Sequence, residues 1–136
     1  MNIDHAFQVI SNGNRDAYAL CHAIYDWLHA IDDLYDRDKE VSPEDWTEVN
    51  MTILHFAAKN EFFRDIFDSV FPIIRASFLA YVASEKYRAS EDVQDKVVAE
   101  VIKSQYMDIF FEIAFHTGGF AHQQRCSNEF RGYHFN

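Results

Sequence analysis

Only four glycines and two prolines interrupt 136 residues. Backbone breakers this sparse favour long helices over many short strands, which need a turn every few residues. The apolar residues recur with helical periodicity throughout, and no alternating strand pattern is present. The expected fold class is all-α: a single domain over residues 1–136, built as a bundle of about five to seven helices.

Capping chemistry marks the helix starts. A short helix is expected over Ile3 to Ile10, closed by "SNGN". Asn14 then offers a side-chain oxygen to a free first-turn N–H and opens a long helix to about Asp36. Its apolar stripe is Leu20, Ile24, Trp27, Leu28, Ile31 and Leu34. In "SPED", Ser42 caps and Pro43 takes the first helical position of a helix reaching about Lys59. Asn60 suits a left-handed stop. A shorter helix follows over Glu61 to Val70, and Pro72 opens or kinks the next, which ends near Arg88. "PIIRASFLAYVASEKY" is apolar nearly all round, so it reads as the central, most buried helix. Ser90 is the expected cap of the last long helix, which runs to His116. "TGG" ends it, and a short helix over Phe120 to Phe130 completes the chain.

Nearly half the residues are hydrophobic and 16% are aromatic, enough for a sizeable core. The net charge of −10 argues against nucleic acid and against an anionic membrane as partners, since both repel an acidic surface. No stretch reaches about 18 uninterrupted apolar residues, so no membrane span is expected. Cys21 and Cys126 are too few for a disulfide framework, and a reducing, cytoplasmic setting is the default.

The charge is uneven. Residues 26 to 48 hold nine acids and two bases. His22, Asp26, His29, Asp33 and Asp36 lie opposite the apolar stripe of the second helix, with Asp32 on the flank. This arc is either a solvated face or a metal cluster. "DDLYD" has the DDxxD form and resembles the aspartate-rich motif of class I isoprenoid synthases over those five residues. The resemblance implies Mg-diphosphate ligation by Asp32, Asp33 and Asp36. Asp36, Asp38 and Glu40 also sit at alternate positions of a calcium-loop spacing, but Val41 and Thr47 stand where that loop needs its glycine and its bidentate glutamate.

"YMDIFFEIAFH" is the second unusual stretch. Asp108, Glu112 and His116 fall at i, i+4 and i+8, one residue wide, with Phe111 and Phe115 beside them. The line either faces solvent or looks into the bundle or a partner chain. A carboxylate kept from water must be paired, metal-bound or protonated. Arg75 requires an acidic partner, as a structural salt bridge, or a bound anion. His55 reads as a core or boundary histidine.

Two functions are compatible with these patterns. One is a non-catalytic helical domain that self-associates, as a homo-oligomer, or binds a protein partner. The aromatic excess and uneven charge support it, because aromatics left at a surface mark interfaces. The other is a Mg- or Mn-dependent enzyme or binder acting on a phosphorylated small molecule. Asp32, Asp33, Asp36, Asp108 and Glu112 would hold the metal. His29 or His116 would move protons beside Glu112, and Arg75 would clamp the phosphate.

Overall fold

The computed structural model describes residues 2–36 and 40–132. Most of the described residues are helical and none forms a strand, so the fold class is all-α. Among the described residues six α-helices and one 3-10 turn follow one another: α1 (Ile3–Ser11), α2 (Arg15–Asp36), α3 (Pro43–Lys59), α4 (Glu61–Arg88), α5 (Val93–Lys103), the 3-10 turn (Ser104–Tyr106) and α6 (Met107–Phe130). The chain divides into two compact units, and the boundary between Phe67 and Asp68 falls inside α4.

In the first unit, the Asp4 N–H donates to Asn2 Oδ1 at 3.0 Å and starts α1. Asn12 (φ 50°) and Gly13 (φ 84°) take left-handed backbone and reverse the chain. Asn14 Oδ1 then accepts from Ala17 N–H at 2.9 Å, as a cap should. α1 folds back on α2 and buries Ala6, Phe7 and Ile10 with Leu20, Cys21 and Ile24. Each of the large side chains among them contributes roughly 1.5–3 kcal/mol by leaving water. α3 starts as expected, with Ser42 Oγ accepting from Asp45 N–H at 3.0 Å.

Three readings of this unit need correction. Asn60 is not a left-handed stop; its backbone is extended (φ −75°, ψ 112°). It caps α4 instead, accepting from Phe63 N–H at 2.8 Å, while its buried amide donates to the Asp16 carbonyl at 3.0 Å. The apolar stripe of α2 also loses its burial toward the C-terminus. Trp27, Leu28 and Ile31 are half-buried and Leu34 is exposed. His55 lies exposed on α3, against the edge of Phe56.

The second unit holds the rest of α4, then α5, the 3-10 turn and α6. Val70, Ile74, Ser77, Tyr81 and Ser84 recur at alternate spacings of four and three and form the buried face of α4. The other face is wet: Phe71, Leu79 and Val82 are exposed. α4 is therefore not the central helix its composition suggests. That place belongs to α6, where Met107, Ile109, Phe110, Phe111, Ile113 and Ala114 are all buried. α4 also runs unbroken through Pro72. The proline removes one backbone donor, which the continuous helix tolerates. Among the described residues α4 is the one helix long and apolar enough to cross a membrane by length and composition.

The last long helix is interrupted. Asp92, not Ser90, caps α5, its Oδ1 accepting from Gln94 N–H at 2.8 Å. Ser90 supports the turn by accepting from Asp92 N–H at 3.1 Å. The 3-10 turn then separates α5 from α6. The expected break at "TGG" is present as a kink at Gly119 (φ 82°, ψ −170°).

Candidate functional site

The line Asp108, Glu112, His116 lies along the seam between α4 and α6 of the second unit. Ser69 Oγ stands 2.7 Å from His116 Nε2, and the same nitrogen is 3.1 Å from Glu112 Oε1. Ser69 Oγ also reaches Glu112 Oε1 at 3.4 Å. The Glu112 and His116 side chains are about a quarter exposed. Further along, Ser77 Oγ donates to the Gln105 carbonyl, so α4 and α6 run antiparallel through this seam. Between these ties lies an open cleft of about 470 Å³, walled by Pro72, Ile73, Ala76 and Ser77 on one side and Asp108, Phe111 and Glu112 on the other.

The cluster looks like a serine–histidine–carboxylate set but lacks its wiring. In such a set the carboxylate holds the ring nitrogen opposite the one facing the hydroxyl. Here Ser69 and Glu112 share one nitrogen, so the acid cannot orient the ring toward the serine. The three groups form a polar clip between two helices.

Asp108 is engaged elsewhere. Arg131 Nη2 donates to Asp108 Oδ1 at 2.9 Å, and its guanidinium lies 4.6 Å from the centre of the Phe111 ring. Phe111 is accordingly buried, whereas Phe115 is exposed. Arg75 departs from its expected role as a salt-bridge partner. It makes no ion pair among the described residues, because it points outward on the wet face of α4, 5.8 Å from the Phe71 ring centre.

Asp32, Asp33 and Asp36 end α2 in the first unit, half-buried. Asp108, Glu112 and His116 belong to the second unit. Among the described residues no group of three or more His, Cys, Asp or Glu side chains could hold a metal ion. The calcium-spacing loop includes Asp38, which lies outside the described residues. His29 packs its ring against Tyr25, centroids 4.3 Å apart, and its Nε2 is buried without a hydrogen-bond partner among the described residues.

Two clusters escaped the sequence reading. Asp4 Oδ1 accepts from Tyr18 Oη and lies 3.0 Å from His22 Nε2, while Gln8 Nε2 donates to Oδ2 at 2.9 Å. The Tyr18 hydrogen bond, then that of His22, hold the Asp4 carboxyl below the usual carboxylate range. The same bond pushes the Tyr18 phenol up. Tyr18 and His22 one turn apart, joined to Asp4 by the tight "SNGN" reversal, were the available signal. The second cluster is His122 and Cys126, one turn apart and buried, with Sγ 3.7 Å from Nε2. Burial pushes the Cys126 thiol up to about 11, which suits a structural cysteine and not a nucleophile.

Apolar side chains are left exposed on α4 and α5. On α5, Val93, Val97 and Val101 are 76%, 51% and 61% exposed, at i, i+4 and i+8. With Lys96, Glu100 and Ser104 they line a shallow groove. Leu79 of α4 is 64% exposed. No protein-family model, curated protein or solved structure matches this chain.

Proposed function

We propose that this chain is a non-catalytic helical domain that associates with protein, either a second copy or another partner, through the outward faces of α4 and α5. The observation that carries this reading is the row Val93, Val97 and Val101, left in water along a whole helix, with Leu79 and Val82 of the same unit also exposed. Isolated surface hydrophobics are ordinary, but rows at helical spacing mark interaction surfaces. The net charge of −10 keeps nucleic acid out of the partner class. The polar groups add support: Ser69, Glu112 and His116 clip two helices, and Asp108 is paired with Arg131. The Mg- or Mn-dependent alternative rests on the sequence spacing of Asp32, Asp33 and Asp36 on α2 and of Asp108 and Glu112 on α6.

Photo-crosslinking in the cells that make the protein tests this. A photoreactive residue in place of Leu79 or Val93 is expected to give protein adducts, and one in place of exposed Glu44 is not. Loss of adducts at both apolar positions would overturn the reading.

A further inference from the structure

We infer that α5 is a homodimer element, and that two copies of this chain pair through antiparallel α5 helices across a two-fold axis level with Val98. The inference rests on the association proposed above and names its partner at the α5 face. Three observations converge on a second copy.

The first is packing register. Val93, Val97 and Val101 repeat every four residues, about 6 Å along a helix that rises about 1.5 Å per residue. An axis level with Val98 sets each residue n against residue 196 minus n of the second copy. The valines of one copy then fall midway between those of the other, alternating about every 3 Å, which is the interdigitation that packed helices require.

The second is charge. Lys96 and Glu100 line the same groove as the valines. The same axis sets Lys96 against the partner's Glu100 and Glu100 against the partner's Lys96. One operator thus satisfies both the apolar and the charged positions, as an isologous contact demands.

The third is local neutrality. The chain carries −10, so most of its surface repels a copy of itself. Between Val93 and Ser104 the acids Asp95 and Glu100 are balanced by Lys96 and Lys103. A single pair of three-turn helices covers less area than a standard stable interface, so the dimer is weak and reversible.

Sedimentation equilibrium of the full chain tests this with two charge variants, Lys96→Glu and Glu100→Lys. Each alone sets like charges together at both symmetric contacts and is expected to weaken dimerisation by about three- to tenfold. Mixed in equal amounts, the two variants are expected to pair with each other about as well as the unaltered chain pairs with itself. Val97→Asp is expected to weaken the dimer by tenfold or more, with helicity by circular dichroism unchanged. Repair by mixing does not arise from contacts within one helix, because neither variant regains its own Lys96–Glu100 spacing.

A chain monomeric at all concentrations, or a dimer indifferent to all three substitutions, overturns the homodimer. So do single variants that mixing fails to repair. If the photoreactive residue at Val93 then crosslinks to a different protein, the proposed association stands and only the choice of partner is lost.

Discussion

Arg131 returns to Asp108 and closes an ion pair at 2.9 Å over the Phe111 ring, joining the end of α6 to its first turn. Both charged side chains are 51% exposed, so water and salt screen the pair. Arg131→Ala is expected to cost about 0.5–1 kcal/mol, of which the cover over Phe111 is the salt-insensitive part. Urea unfolding at low and high salt checks this; equal losses at both would mean the ion pair contributes nothing.

Asn60 works on two helices at once, capping α4 and holding the Asp16 carbonyl of α2. Asn60→Ala is expected to destabilise the protein by about 1–3 kcal/mol, since a cap is lost and a partly buried carbonyl loses its donor. Asn60→Ser, which restores only the cap, is expected to fall between the two in thermal unfolding.

The Asp4–Tyr18 bond makes stability depend on pH at both ends. Asp4 has a lowered pKa in the folded chain, so its contribution is present above the ordinary carboxylate range and is lost as pH falls through the lowered value. Tyr18 has a raised pKa, so its contribution is present below the ordinary phenol range and is lost as pH rises through the raised value. In Tyr18→Phe, the Asp4 titration followed by NMR is expected to move up toward the ordinary carboxylate value. An unmoved titration would mean that the bond does not hold in solution.

The kink in α6 depends on two glycines for different reasons. Gly119 uses backbone that only glycine adopts easily. A Cβ at Gly118 would collide with the His122 ring. Gly118→Ala and Gly119→Ala are each expected to cost about 1–3 kcal/mol. Gly132→Ala, with open space around the new carbon, is the control in the same thermal scan.

What the sequence disclosed was local. Asn14 and Ser42 were legible as caps because a cap needs only the following turn. Asn60 was not, because asparagine suits both a helix stop and a helix start, and the choice was made by the distant Asp16 carbonyl. The helix break at Gly119 was visible in "TGG", whereas the 3-10 turn at Ser104–Tyr106 carries no breaker. α4 was misplaced because uniform apolarity does not say which side meets the core. The candidate residues fared similarly. Glu112 and His116 were legible as a pair one turn apart, but Ser69 was not, since it lies 47 residues from His116. The partner of Asp108, Arg131, was likewise out of reach of any helical spacing.

Side-chain oxidation footprinting of the outward face is the most direct measurement, comparing the dilute purified chain with the chain at high concentration in extract from the cells that make it. Phe71, Leu79 and the α5 valines are exposed in the isolated chain and are expected to label strongly there. In the extract, Leu79, Val97 and Val101 are expected to be protected, while exposed Met51 of the first unit keeps its labelling. Equal labelling of the valines in both samples would contradict an interface on this face.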